Sequence, residues 1–133
     1  MQLKYNKNKY RSNCSISCAL EIIGDKWTLL IIRDIIIGET KSFGDFRSSP
    51  EKIASNILSD RLEKMVSYGI LIKRVNKKNK LKFDYTLSKI GKELEPVMMA
   101  ISKWGHQSIN GTQSAYAQIK LVNLGKEKIT KSK

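Results

Sequence analysis

Residues 54–87, ASNILSDRLEKMVSYGILIKRVNKKNKLKFDYTL, carry two periodicities in succession. Over 54–68, Ile57, Leu58, Leu62, Met65 and Val66 recur at helical spacing, while Ser55, Asn56, Ser59, Asp60 and Glu63 fall on the other side. Gly69 closes that helix. The pattern then changes to alternation: 70–75 and 81–87 read as strands, and NKKNK at 76–80 is the polar turn of a β-hairpin. A helix with a polar outer face, followed at once by a basic hairpin, can enter the major groove of DNA while the hairpin reaches along the phosphates.

The flanking sequence supplies supports for this pair. Upstream, residues 14–23 place Ile16, Ala19, Leu20 and Ile23 at helical spacing, with Gly24 as the C′ residue that ends them. Asp25 is suited to cap a largely buried helix over 26–37, which Gly38 stops. Ser42 and Asp45 match a capping box that opens a short helix with Phe43 and Phe46 inward, and Pro50 breaks the chain after it. Downstream, Ser88 can cap a last major helix. Leu87, Ile90, Leu94, Val97, Met98, Ile101 and Trp104 form a long apolar stripe along it, with Pro96 as a place to bend. Residues 116–124 offer a further short helix. The expected fold is mainly α with one small β-hairpin: a basic arm at 1–11, a helical domain at 12–112 and a basic extension at 113–133.

A chain of 133 residues, 41% hydrophobic, suits one domain with one modest core. Its net charge of +13 is unevenly placed. Residues 1–11 hold Lys4, Lys7, Lys9 and Arg11 and no acid. Residues 73–82 hold Lys73, Arg74, Lys77, Lys78, Lys80 and Lys82, again with no acid. Residues 120–133 add five lysines against Glu127, so the rest of the chain is nearly neutral. Bases gathered in this way are expected to touch a polyanion.

Other classes are poorly supported. No stretch approaches the roughly 18 apolar residues of a membrane span, and the first residues lack the apolar segment of a secretory signal. A cytoplasmic location without a membrane partner is expected. The only cysteines, Cys14 and Cys18, suit a reducing compartment. The lone His106 has no Cys, His or acid cluster at metal-ligand spacing, and no cofactor fingerprint or nucleophile motif occurs. No metal, cofactor or enzymatic activity is therefore expected.

In order and in register, the pieces GDKWTLLIIRDIIIG, SFGDFRSS, IASNILSDRLEKMVSYGIL and DYTLSKIGKEL, with Cys14 before them and Trp104 after, resemble the HxlR family of bacterial and archaeal transcription regulators, relatives of the MarR-type winged helices. The resemblance runs from Cys14 to about Trp104. It implies a winged helix-turn-helix, a homodimer joined through the N-terminal and last long helices, and a double-stranded DNA operator as partner. It makes 54–68 the recognition helix and 73–82 the wing. By position, Ser55, Asn56, Ser59, Asp60 and Arg61 would face the major groove, and Arg74, Lys77, Lys78, Lys80 and Lys82 the phosphates or the minor groove. Asn56 is the best base reader, because an amide can pair bidentately with adenine. In several members a cysteine at the position of Cys14 senses oxidants or electrophiles. Here that thiol would sit at a helix N-terminus just after Lys9 and Arg11, both of which favour thiolate. A small-molecule or oxidant signal is the implied regulator, and repression the implied output.

Three departures from the family pattern stand out. Ala54 replaces the usual Ser or Thr cap of the recognition helix, so a bond typically worth ~1 kcal/mol is either missing or supplied by a neighbour such as Ser55. Asp60 replaces a glutamine, so a different operator is expected. Lys80 and Leu81 replace a proline pair, so the wing is expected to be less rigid and more basic. The competing readings are a non-specific, architectural nucleic-acid binder and a winged helix used only for protein contacts.

Overall fold

The apolar faces read from 26–71 converge on one core. In the computed structural model, which describes residues 3–114, the order is α1 (Ser15–Ile23), α2 (Thr28–Gly38), α3 (Phe43–Phe46), α4 (Ser55–Ser67), β1 (Leu71–Val75), β2 (Phe83–Leu87), α5 (Lys89–Lys92) and α6 (Glu95–Ser108). The fold is a winged helix, mostly helical with one antiparallel hairpin, as expected. The expected helix at 116–124 and most of the basic extension lie outside the described residues. The core is built from Ile31 and Ile32 of α2, Phe46 of α3, Leu58, Leu62 and Met65 of α4, Ile70, Leu71 and Tyr85 of the hairpin region, and Met98 of α6. Removing each such side chain from water contributes roughly 1.5–3 kcal/mol. No helix among the described residues is long and apolar enough to cross a membrane.

Local chemistry sets the element ends. The Asp25 carboxylate accepts from the backbone N–H of Trp27 at 2.9 Å and of Thr28 at 3.0 Å. It therefore caps α2 as expected, although the first helical residue is Thr28 and not residue 26. The capping box is formed: Ser42 Oγ accepts from the Asp45 N–H at 3.2 Å, and the Asp45 carboxylate accepts from the Ser42 N–H at 3.1 Å. Gly24 differs from expectation. It has right-handed backbone angles, and glycine is needed there because a Cβ would overlap the Leu20 carbonyl.

The hairpin pairs from Leu71↔Leu87 to Val75↔Phe83. A short edge segment joins it, since the Tyr85 N–H donates to the Lys41 carbonyl at 2.8 Å. Gly69 takes φ +76°, the left-handed turn between α4 and β1. Ser88 Oγ donates to the Gly69 carbonyl at 2.5 Å and accepts from the Gly91 N–H at 3.1 Å. The Ser88 N–H donates to the Ile70 carbonyl at 2.9 Å. Gly91 is buried against that same carbonyl, where a Cβ would overlap it. The end of α4, the base of the hairpin and the start of α5 thus form one hydrogen-bonded joint.

Two apolar stripes read from the sequence are largely surface. α1 buries no residue; Ile16 is 69% and Leu20 51% exposed. The last helix is divided at Glu93–Leu94 into α5 and α6, with Pro96 in the first turn of α6. Of its stripe only Met98 is buried, and Val97, Ile101 and Trp104 point outward. Periodicity shows that a face is apolar, but not whether the same chain covers it.

Arg33 and Asp34, which interrupt an apolar run, form a polar tie. Arg33 reaches Glu51 through two bonds of 2.9 and 2.6 Å, Ser49 Oγ at 3.1 Å and Asp34 at 2.9 Å. This fastens α2 to the connection leading into α4. The Arg33 hydrogen bonds hold the Glu51 carboxyl down at about 2, from an ordinary value of 4.5. A carboxyl with a lowered folded-state pKa contributes stability that is complete above about 4.5 and is lost as pH falls towards about 2. Glu51→Gln should cost about 1 kcal/mol at pH 7, after allowance for solvent screening of this half-exposed pair. It should also flatten the loss of stability below pH ~4.5, as read from denaturant midpoints across pH. Parallel pH profiles for the two proteins would contradict this role.

Candidate nucleic-acid interface

Burial of Leu58, Leu62 and Met65, each 1% exposed or less, fixes the rotation of α4. Ser55, Asn56, Ser59, Asp60 and Glu63 consequently face outward, all exposed. Ser55, Asn56 and Ser59 make no side-chain hydrogen bond among the described residues, which leaves their polar groups available. Ile57, expected on the buried face, is 37% exposed at its edge. Ala54 supplies no side-chain cap, so the first N–H groups of α4 stay uncovered.

Arg61 departs from the expected set. Its guanidinium lies 3.3 Å from Asp25 and 3.0 Å from Asp60, and its side chain is only 18% exposed. Asp25, already placed by capping α2, draws Arg61 back towards the body of the protein. Asp60 is outward but occupied, 3.4 Å from Lys64 as well. Its hydrogen bond from Arg61, then that from Lys64, lower its pKa below the usual carboxylate value. Asp60 therefore stays ionised at neutral pH beside two cations, which moderates the repulsion that a lone acid would exert on phosphate.

The wing presents Arg74, Lys77, Lys78, Lys80 and Lys82, all exposed and none in an ion pair among the described residues. The charge of Lys82 does help to lower the pKa of Asp45, after the backbone bonds from Ser42 and Lys41. Lys73 lies over the Phe83 ring at 4.1 Å, so its stem covers the hairpin surface. Strand β2 begins at Phe83, later than expected, and Leu81 is 92% exposed in the loop 76–82.

Asn76 explains the longer loop. Its Oδ1 accepts from the Lys78 and Asn79 N–H groups, both at 2.9 Å, and its Nδ2 donates to the two Asp84 oxygens at 3.1 and 3.0 Å. Asn79 Oδ1 accepts from the Leu81 N–H at 3.0 Å. These asparagine turns brace the loop without the proline pair. The paired asparagines of NKKN were the available signal, since Asn side chains bond to the backbone two residues on.

The thiols differ. Cys14 is exposed at the N-cap of α1, and backbone N–H groups of Ser17 and then Ile16 pull its pKa below the usual thiol value. The expected help from Arg11 is not seen: that guanidinium pairs with Glu21 at 2.7 Å. Cys18 is half-buried, its Sγ donating to the Ser12 carbonyl at 3.3 Å.

The family model described as HxlR-like helix-turn-helix matches residues 22–113. The uncharacterized HTH-type transcriptional regulator YdeP of Bacillus subtilis (strain 168) is 32% identical over 71% of this chain and 73% of its own. The solved structure of PA1607 superposes with a TM-score of 0.70 at 29% identity, covering 81% of this chain and 75% of that one. The redox regulator HypR in its oxidized form superposes with a TM-score of 0.63 at 25% identity, covering 73% and 99%.

The contrast between the two thiols can be measured. With limiting iodoacetamide at pH ~7.5, mass spectrometry should find Cys14 alkylated several-fold faster than Cys18, and an equal rate would contradict the assigned geometry.

Proposed function

Because the chain belongs to the HxlR-like helix-turn-helix family, we propose that it acts as a homodimeric repressor that reads a double-stranded operator through α4 and grips the operator's phosphates with the wing. Transcription regulation through DNA binding by a helix-turn-helix is the business of that family. The observation that carries the finer reading is the juxtaposition of two surfaces. The unpartnered face of Ser55, Asn56 and Ser59 stands on the helix that runs directly into a hairpin whose exposed bases Arg74, Lys77, Lys78, Lys80 and Lys82 form no ion pair among the described residues. Phosphate contacts set affinity and register, and base contacts set sequence preference. The wing lysines serve the first purpose and Asn56 the second.

The dimer rests on the outward apolar residues Ile16 and Leu20 of α1 and Val97, Ile101 and Trp104 of α6. Exposed apolar residues gathered on helix faces are often covered by a partner, and a two-fold dimer would present two recognition helices to successive major grooves. Cys14 is assigned the sensing role. Its exposure and lowered pKa favour reaction, and the similarity to a redox regulator supports an oxidant or electrophile as the signal.

The test is binding to genomic fragments at near-physiological salt, including the gene's own upstream region. At least one fragment should bind tenfold or more tightly than random duplex, since specific sites commonly exceed non-specific ones by about 10³ or more. A mild thiol oxidant should release that fragment from the native protein but not from Cys14→Ser. Uniform affinity for all fragments would favour an architectural binder and contradict the repressor, and equal release from both proteins would remove Cys14 as the sensor.

A further inference from the structure

The basic arm at the N-terminus folds back as a roof. The Lys9 and Tyr10 N–H groups donate to the Asn6 carbonyl at 3.0 and 3.1 Å, and Tyr5 stacks on Tyr10 with ring centroids 5.8 Å apart. Beneath it lies a cavity of about 300 Å³. Tyr5 and Tyr10 stand over it and leave it partly open to solvent, Ala19 and Ile22 of α1 form one wall, and Ile70 and Leu94 form another. Cys18 also lines it, with its thiol hydrogen-bonded to the Ser12 carbonyl, while Lys4 and Glu93 are the charged groups among the described lining residues.

We propose that this cavity is an effector site for a neutral, largely apolar molecule of one or two rings. Size and chemistry both point there. A cavity of ~150 Å³ lined by apolar side chains stays dry and takes up benzene, and this one is about twice as large. That is too small for a helix of a partner protein, and the roof belongs to the same chain. Apolar walls with a few polar groups are the usual composition of a small-molecule pocket. The lining of α1 uses Cys18 and Ile22, on the side of the helix away from the outward Ile16 and Leu20, together with Ala19 and Ile23, which continue the outward stripe, so the cavity adjoins the proposed dimer surface.

The position of Ile70 supplies the link to DNA, and this part rests on the reading under Proposed function. The Ile70 N–H donates to the Met65 carbonyl of α4 at 2.9 Å, and its own carbonyl accepts from the Ser88 N–H at 2.9 Å, at the base of the hairpin. A molecule pressed against Ile70 therefore bears on the residue that joins the recognition helix to the wing. Leu94 places the same molecule against the start of α6. A ligand shifts a conformational equilibrium only through differential contact with its states, and these two walls belong to the elements whose relative position sets the spacing of paired recognition helices.

The probe is 2-naphthol added to the full chain. Isoleucine methyl resonances of Ile22 and Ile70 should shift saturably, with a Kd below about 1 mM by calorimetry. Cys18→Phe, which narrows the cavity from the side of α1 away from Ile16 and Leu20, and Tyr5→Ala, which removes half of the roof, should each weaken binding at least tenfold while leaving DNA affinity in the absence of probe unchanged. Saturating probe should change operator affinity by about fivefold or more in the native protein. Absence of binding, or equal binding to the native protein and both variants, would overturn the site. Binding without any change in operator affinity would overturn its effector role. A lack of operator preference would contradict the regulator reading while leaving naphthol binding intact, so the two failures are distinguishable.

Discussion

The structure depends on the joint at Gly69–Ile70. The left-handed turn at Gly69 lets the chain leave α4 and enter β1 without a gap. Ser88 then ties that turn to the end of β2, and the missing side chain of Gly91 lets α5 lie against the Ile70 carbonyl. Burial of Leu58, Leu62 and Met65 fixes the rotation of α4 about its axis, and the joint fixes its direction relative to the wing. The proposed reading face and gripping loop are useful together only if their relative position is set before DNA arrives, because ordering them at the moment of binding would cost conformational entropy.

Around this joint the charges are sorted by partner. Acids and bases of the body neutralise one another: Arg33 with Glu51 and Asp34, Arg61 with Asp25 and Asp60, and Arg11 with Glu21. Wing bases are left without such partners among the described residues. The internal pairs hold the scaffold, and the unpaired cations are the ones free to displace counterions from a polyanion. Arg61 shows why sequence position alone is a poor guide to role. It lies one residue from Asp60 on the proposed reading helix, yet its charge is used to fasten α4 to the cap of α2.

Much of this was legible in the sequence because local rules and tertiary packing agree. The helical stripe of 54–68, the alternation on either side of NKKNK and the Ser42–Asp45 box each became the element that they implied. Charge placement alone marks the wing. The misses have physical causes. Ile16, Leu20, Ile101 and Trp104 are apolar at helical spacing, but spacing alone does not show that they lie on the surface. Leu81 looks like a strand residue by alternation, yet Asn76 and Asn79 hold it in the turn with side-chain bonds. The Arg33–Glu51 tie spans residues far apart in sequence, which no periodicity records, and the roofed cavity needs the arm, α1, Ile70 and Leu94 to meet in space.

The central claim is a division of labour between wing and helix, and its most direct test is the salt dependence of binding for two variants on two duplexes, the operator and a random sequence. Replacing Lys77, Lys78 and Lys80 with alanine should weaken binding to both duplexes by similar factors and reduce the slope of log affinity against log salt by about 0.9 for each phosphate no longer neutralised. Asn56→Ala should leave the slope unchanged and cost about 1–3 kcal/mol on the operator alone. A lysine variant that lost only operator binding, or an Asn56 variant that lost both equally, would contradict the account.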